Sequence, residues 1–190
     1  MRSYPKKHDH NAARPIFGAL RTLAVRARPG KPSQGLLVAG SRVMPCALGR
    51  GGISARKREG DGATPLAAMR LLWGYVRRGR MRPVSRLSLA PIEADLGWCD
   101  APADRNYNRP VRLPYAASHE DMRRPDRLYD AVIVLDWNIR PRRRGCGSAI
   151  FLHVARPGFR PTEGCVAVAP RDMAWLLPRL SPRTALTVLR

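Results

Sequence analysis

The chain has 190 residues, of which 44% are hydrophobic, and its 35 Lys and Arg residues against 14 Asp and Glu residues give a formal net charge of +21. This length buries one good core and is short for two, which argues against a multidomain protein. No run approaches the ~18 apolar residues of a membrane-spanning helix, and the sequence therefore predicts no such helix.

The excess of positive charge comes mainly from arginine, since only four of the basic residues are lysine. A chain of this charge is attracted to polyanions such as nucleic acid, acidic lipid headgroups or an anionic cell-wall polymer. The alternative explanation of the arginine excess is a GC-rich genome, with the arginines on an ordinary solvated surface. This alternative is supported because the arginines are spread along the chain and not gathered on one helix face. A non-catalytic basic binder of nucleic acid or acidic cell-wall polymer is therefore one hypothesis for function.

Residues 1–34 are rich in Pro, Lys, Arg and His and are predicted to form a flexible basic arm before a folded domain at residues 35–190. The apolar run IFGALRTLAV in this arm is interrupted by Arg21, and no small-residue cleavage site follows it. The sequence therefore gives no clear signal peptide, and a cytoplasmic location stays open. The trio HDH at residues 8–10 is interpreted as solvated, because no further metal ligands lie near it in the sequence.

The first half of the domain is predicted to contain three strands. Residues 36–39 and 42–48 are apolar runs split by Gly-Ser, which is typical of a β-hairpin. The Gly-rich loop GRGGISARKREGDGATP follows; it lacks the pattern of a phosphate-binding loop, and we interpret it as a strand connection. MRLLWGYV is predicted to be the third strand. Residues 77–118, rich in Pro, Arg and Asp, are predicted to be long irregular loops.

The second half of the domain is predicted to contain four strands and one helix. LYDAVIVLDWN carries β-branched residues at its centre, and SAIFLHV, CVAVA and TALTVLR have similar apolar runs. RDMAWLLPRL has apolar residues at helical spacing. Many strands and little helix predict a mainly β fold with a mixed sheet and few short helices.

One histidine and one cysteine lie close together in the stretch IFLHVARPGFRPTEGCVAVA. Cys165 follows His153 by 12 residues (165 − 153), and each lies at the end of a predicted strand. Two adjacent strands joined by this loop would bring the imidazole near the sulfur, as a thiol nucleophile requires. The amides of Gly164 and Cys165 could then donate to an oxyanion, and a backbone carbonyl or Ser148 could orient the imidazole. The alternative is a buried structural cysteine and a surface histidine.

This stretch resembles the active-site segment of the L,D-transpeptidase (YkuD-like) catalytic domain family, in which a strand-end His, a loop and a Ser/Thr-x-Gly-Cys turn lead into a strand. His153, Thr162, Gly164 and Cys165 fall on those positions. The resemblance extends over residues 35–170 and includes the Gly-rich segment with its Thr-Pro pair. Two positions depart from it: Val154 stands where many members have Gly, and Ala167 where many have Arg. Arg156, Arg160 or Arg171 could replace that charge.

The resemblance implies a β-sandwich-like mixed sheet and a cysteine-dependent acyl transfer on peptidoglycan stem peptides. Cys165 would be the nucleophile, His153 the base and later the acid, and Thr162 and Gly164 would form the turn. It implies no cofactor and no metal, sensitivity to carbapenem-type inhibitors, and a role in peptidoglycan biosynthesis, cell wall biogenesis and cell shape in the cell envelope or periplasm. Hydrolysis, as in an L,D-carboxypeptidase, is a further outcome of the same acyl-enzyme.

Two other segments carry polar or aromatic residues that could serve a site. His119, Glu120 and Asp121 are interpreted as a solvated loop or helix cap, because Ser118 with Asp121 resembles a capping pattern. The segment DLGWCDAPADRNYNRPVRLPY could line a peptide groove or cover the core with Trp98 and Tyr107. The four cysteines contain no CxxC pair, which argues against a zinc site of the usual spacing and leaves free thiols or two disulfides open.

Overall fold

A computed structural model describes residues 18–82 and 84–190, and the HDH trio lies outside these residues. The described residues form fourteen strands, one α-helix and two short 3-10 turns. The helix, α1, is Pro170–Leu176, and the 3-10 turns are Pro157–Phe159 and Leu177–Arg179. The strands in chain order are β1 Thr22–Arg28, β2 Lys31–Ala39, β3 Arg42–Ala47, β4 Ile53–Ser54, β5 Thr64–Pro65, β6 Ala68–Val76, β7 Leu89–Pro91, β8 Leu96–Cys99, β9 Arg109–Arg112, β10 His119–Asp121, β11 Ala131–Leu135, β12 Phe151–Val154, β13 Val166–Val168 and β14 Ala185–Leu189.

Nine of these strands form one mixed sheet, in the order β11-β12-β13-β3-β2-β1-β14-β6-β7. β6 also pairs with β11, which joins two distant parts of this order and closes the sheet on itself. β12 and β13 are parallel neighbours, although most other pairs are antiparallel. The prediction of a mainly β fold with a mixed sheet and few short helices is confirmed.

The predicted hairpin is present as β2 and β3. The two strands pair in register from Gln34 opposite Ala47 to Ala39 opposite Arg42. Gly40 in the turn has a φ of 63°, a left-handed conformation that glycine adopts at little steric cost. The helix predicted at residues 171–180 is also present, as α1 and the 3-10 turn that follows it.

The two faces of the main sheet bury two separate apolar clusters. Leu152 in β12 and Val166 in β13 belong to the larger cluster, together with the helix residue Met173. Phe151, on the other face of β12, belongs to the smaller cluster, where Trp98 of β8 packs edge-on against it at 5.0 Å between ring centroids. The small sheet β10-β8-β9 therefore covers the second face. This second face carries the candidate site.

The predicted boundary of the flexible arm at residue 34 is wrong. Strand β1 and the first residues of β2 lie within the predicted arm. β1 pairs with both β2 and β14, and its residues Leu23 and Val25 are fully buried. The alternation of these two apolar residues with more exposed neighbours is a strand pattern that the basic composition of the segment obscured.

Residues 77–118 were predicted to be irregular, and this is wrong for three short strands. β7, β8 and β9 lie in this segment, each only three or four residues long. The interpretation of residues 119–121 as a cap or solvated loop is also wrong, because they form β10 and pair with β8. Strands this short show no periodicity of their own, and pairing with distant segments stabilises them. Within the described residues, no helix has the length and apolar character of a membrane span.

Candidate functional site

The two predicted reactive side chains lie on the same face of the sheet, with His153 in β12 and Cys165 directly before the neighbouring strand β13. The register of β12 and β13 places His153 opposite Ala167. Cys165 precedes Ala167 by two residues, and side chains two apart along a strand share a face. Cys165 and His153 both border a cavity of about 280 Å³ that lies on this face. The structure therefore brings together the pair that the sequence predicted.

The thiol of Cys165 is held by two backbone groups. Its Sγ donates to the carbonyl oxygen of Ala149 at 3.1 Å and accepts from the amide of Phe151 at 3.3 Å. Cys165 is 7% exposed, and this burial raises the pKa of its thiol to about 12, with a further contribution from the nearby Glu120 carboxylate. The resting group is a protonated thiol, not a thiolate.

The imidazole of His153 is buried and neutral. Its Nδ1 lies 2.9 Å from the carbonyl oxygen of Val154. Because a carbonyl only accepts hydrogen bonds, Nδ1 carries the proton, and Nε2 is then the basic nitrogen of the neutral ring. Burial lowers the pKa of His153 to about 4. The orienting group is thus a backbone carbonyl, whereas Ser148, the alternative, donates to Glu59 at 2.9 Å.

The turn before Cys165 is stabilised by Thr162. The Thr162 hydroxyl accepts from the Gly164 amide at 3.2 Å and donates to the Cys165 carbonyl at 2.7 Å. Gly164 has a φ of 131°, and a Cβ there would lie 2.9 Å from the carbonyl oxygen of Ala63. Glycine is therefore required at this position. In the resting site the Gly164 amide donates to Thr162, so its expected use as an oxyanion donor would require this bond to be exchanged.

The Gly-rich loop borders the same cavity through Glu59. This carboxylate accepts from the hydroxyl groups of Tyr107 and Ser148. Lys57, which is 6% exposed, forms an ion pair with Asp61 in the same loop. Glu59 therefore ties the loop to the cavity edge, and the Lys57–Asp61 ion pair stabilises the loop itself.

Two arginines of the loop between β12 and β13 also border the cavity. Arg156 and Arg160 are both exposed and both belong to its lining, whereas Arg171 lies in helix α1. Of the three arginines considered as replacements for the charge missing at Ala167, these two are therefore placed where a substrate could reach them.

Four residues of the site were not singled out for it by the sequence. They are the backbone-strained Ala149 beside the thiol and a connected group of side chains behind the imidazole: Glu120, Arg124 and Tyr129. Glu120 was interpreted as solvated, yet it lines the cavity and burial raises its pKa. The sequence carried no signal for this group, because β10 and the residues before β11 meet β12 only in the folded protein.

The other titratable groups show no metal site or disulfide. Within residues 18–82 and 84–190, no group of three or more His, Cys, Asp or Glu residues is arranged to hold a metal ion. Cys46, Cys99, Cys146 and Cys165 are free thiols. Trp98 is fully buried and Tyr107 is 3% exposed, so these two aromatic residues cover the core and do not line a groove.

Comparison with known proteins identifies the family. No curated protein matches the chain. A solved structure that matches is that of Mycobacterium tuberculosis L,D-transpeptidase 1, at 14% sequence identity and a TM-score of 0.38, covering 89% of this chain and 62% of that chain. The chain thus spans less than two thirds of that protein. The family model of the L,D-transpeptidase catalytic domain, YkuD, matches residues 31–188, which is most of the chain. The chain therefore belongs to the YkuD family of L,D-transpeptidase catalytic domains.

Proposed function

We propose that this protein is an L,D-transpeptidase that transfers an acyl group of peptidoglycan stem peptides through a thioester at Cys165, with His153 as general base and then general acid. The observation that carries the proposal is the position of the two side chains, on one face of adjacent parallel strands and at one cavity. A buried cysteine of purely structural function needs no imidazole beside it.

The chemistry follows from the protonation states of the pair. The thiol proton moves to Nε2 of His153 as Sγ attacks the carbonyl carbon of an L-centre whose amide nitrogen belongs to a D-residue. The tetrahedral intermediate collapses, its C–N bond breaks, and the imidazolium gives the proton to the departing amine. The acyl group then remains on sulfur as a thioester.

The second half of the reaction reverses these roles. An acceptor amine, or water in the hydrolytic case, attacks the thioester carbonyl and loses its proton to Nε2 of His153. The C–S bond breaks, and the sulfur takes the proton back from the imidazolium. In both halves the developing oxyanion is adjacent to the Cys165 amide, which is the donor left to it once the Gly164 amide bonds to Thr162.

The neutral state of the pair supports this stepwise use of His153. A thiolate stabilised in advance would need a lowered thiol pKa, whereas burial raises the pKa of Cys165 to about 12. The proton must therefore leave during the attack. His153, whose pKa burial lowers to about 4, is unprotonated at neutral pH and can accept it.

The experiment that tests the function uses a disaccharide tetrapeptide as substrate, with products read by mass spectrometry. Wild-type protein should release the terminal D-residue and form cross-linked or hydrolysed products, whereas Cys165→Ala and His153→Gln should form none. Cys146→Ala is the matched control, because Cys146 is a free thiol outside the cavity lining. Identical traces for wild type and Cys165→Ala would reject the proposal.

A second readout is covalent capture by a carbapenem. The β-lactam carbonyl should acylate Sγ, so intact-mass analysis should show one adduct on wild type and on Cys146→Ala and none on Cys165→Ala. An adduct that persists in Cys165→Ala would place the reactive thiol elsewhere.

The proposed substrate also implies a location and a cellular role. Peptidoglycan is an envelope polymer, so we propose that the protein acts in the cell envelope or periplasm, in peptidoglycan biosynthesis, cell wall biogenesis and the maintenance of cell shape. Fractionation with compartment markers tests the location, and recovery only with cytoplasmic markers would reject it.

A further inference from the structure

The ring of Tyr129 packs against the imidazole of His153. The two rings meet nearly perpendicular, at 80°, with 5.3 Å between their centroids. Tyr129 is 5% exposed, and it also packs edge-on against Phe151 at 6.2 Å. The Val154 carbonyl accepts from Nδ1 and the Leu128 carbonyl also hydrogen-bonds to the ring, yet the second side-chain torsion of histidine is intrinsically broad. Tyr129 adds a packing contact with the ring that restricts rotation about this torsion.

Tyr129 is itself held from two directions. Its hydroxyl donates to Oε1 of Glu120 at 2.7 Å. The guanidinium of Arg124 lies over its ring, 5.4 Å from the centroid, and forms an ion pair with Glu120 at 3.5 Å. Arg124 is anchored in turn by Asp126 at 2.9 Å. The phenol is thus clamped at its hydroxyl and on its face.

This clamp is an unusual choice for a purely structural core. Glu120, Arg124 and Tyr129 all line the cavity that contains Cys165 and His153. The Glu120 side chain is 29% exposed and is paired with Arg124, and the partial loss of water around such a pair costs free energy that an apolar pair of the same shape would avoid. A charged pair that holds a phenol beside the imidazole fits a requirement on the orientation of the two rings.

We infer that Tyr129, clamped by Glu120 and Arg124, is a positioning residue that fixes the plane of the His153 imidazole so that Nε2 faces the Cys165 thiol. The expected effect on turnover rests on the proposed function, whereas the expected effect on the orientation of the imidazole does not. Without the Tyr129 ring, the imidazole can rotate about its second side-chain torsion and exchange its hydrogen-bond partners. Proton transfer is then misaligned, while the surfaces that bind substrate are kept.

The test compares three variants. Tyr129→Leu removes the aromatic ring beside His153, and Tyr129→Phe keeps the ring but loses the hydrogen bond to Glu120. Tyr75→Leu is the matched control, because Tyr75 is a tyrosine of the same apolar cluster that is 4% exposed and separated from His153 by Val132 across the sheet. Each protein is assayed with the disaccharide tetrapeptide, and its histidine ring nitrogens are observed by 15N NMR.

Tyr129→Leu should lower kcat about 100-fold with KM nearly unchanged, as expected for misplaced reacting groups. Tyr129→Phe should restore kcat to within about tenfold of wild type, since it lacks one hydrogen bond only. In the NMR spectra wild type, Tyr129→Phe and Tyr75→Leu should show His153 as a single Nδ1–H tautomer. Tyr129→Leu should show averaged ring nitrogen shifts.

The outcomes separate this inference from the proposed function. Wild-type nitrogen shifts or wild-type kcat in Tyr129→Leu would overturn the inference, even if Cys165→Ala is inactive. Averaged shifts in Tyr129→Leu together with a wild type that forms no product would overturn the function and keep the positioning role.

If Tyr129→Leu does not fold, Glu120→Ala decides the question: it frees the phenol hydroxyl without removing the ring and should lower kcat about tenfold. An unchanged kcat in Glu120→Ala would then reject the inference.

Discussion

The thiol of Cys165 donates its hydrogen bond to the carbonyl oxygen of Ala149, with 3.1 Å between sulfur and oxygen. Ala149 has a φ of 52°, in the left-handed region that costs free energy for a residue with a Cβ. The Ala149 amide is held in turn by the side chain of Asn108 at 3.1 Å. The thiol proton is therefore directed at the carbonyl of a residue whose strained backbone the surrounding structure holds in place.

The first prediction concerns the reactivity of this thiol. Because burial raises the pKa of Cys165 to about 12, iodoacetamide should alkylate it slowly at pH 7, and the rate should rise roughly tenfold per pH unit over the alkaline range. Peptide mapping by mass spectrometry measures the rate, with the partly exposed Cys146 as a reference within the same molecule. A Cys165 rate that levels off below pH 9.0, the ordinary pKa of a cysteine thiol, would contradict the prediction.

Asn108 is predicted to be a stability determinant of the site. It is 1% exposed, and its Oδ1 accepts from the Trp98 indole and from the Ala149 amide, each at 3.1 Å. Asn108→Ala should lower the free energy of unfolding by about 2–4 kcal/mol, because both buried donors lose their acceptor. Denaturant unfolding measures the change. Asn106→Ala, which removes a bond to Tyr115 in a less buried place, should cost less than about 1 kcal/mol.

Stability is predicted to depend on pH through His153. Burial lowers the pKa of this imidazole to about 4, against an ordinary value of 6.5. Between these values the unfolded chain binds a proton that the folded protein excludes, so stability is full above pH 6.5 and falls as the pH drops towards 4. The loss should approach about 3 kcal/mol. Urea unfolding across this range should show the loss in wild type and not in His153→Gln; parallel curves for the two proteins would contradict it.

Gly164 is predicted to tolerate no side chain. An alanine there would combine a φ of 131° with a Cβ only 2.9 Å from the Ala63 carbonyl oxygen. Gly164→Ala should therefore lower the free energy of unfolding by about 3 kcal/mol or more and abolish turnover. Gly158→Ala is the control on the same loop, since Gly158 has a φ of 74° but open space around it, and should cost only about 1–2 kcal/mol. Similar losses for the two variants would show that contact with Ala63 is unimportant.

Arg160 is predicted to contribute to binding of an anionic substrate. Its side chain borders the cavity from the β12–β13 loop, and the stem peptides proposed as substrate carry free carboxylates. Arg160→Gln should raise KM about threefold to tenfold, leave kcat nearly unchanged, and weaken the dependence of KM on salt. Arg183→Gln, an exposed arginine near β14, should leave all three unchanged. Equal effects of the two substitutions would mean that net charge, and not position, governs binding, as the basic-binder hypothesis expects.

Local patterns identified much of the fold and half of the site. The hairpin of β2 and β3 followed from two apolar runs around a Gly-Ser turn, and the pairing of His153 with Cys165 followed from one loop between two predicted strands. Such features need only residues close in sequence. β8 and β10 were not predicted, because neither is longer than four residues and each is stabilised by a partner about 20 residues away. Glu120 was misinterpreted for the same reason.

The amino-acid sequence by itself determined the mainly β class and the family resemblance, and it singled out the candidate thiol and imidazole, since alternation of apolar residues and a short motif are local properties. Tertiary structure alone decided that the thiol is protonated, that the imidazole is neutral, and that Tyr129 and Glu120 lie behind it. Protonation depends on burial and on neighbouring charges, and both arise when the small sheet of β8–β10 covers the face of β12. The order of residues along the chain does not show the contact between the small sheet and β12.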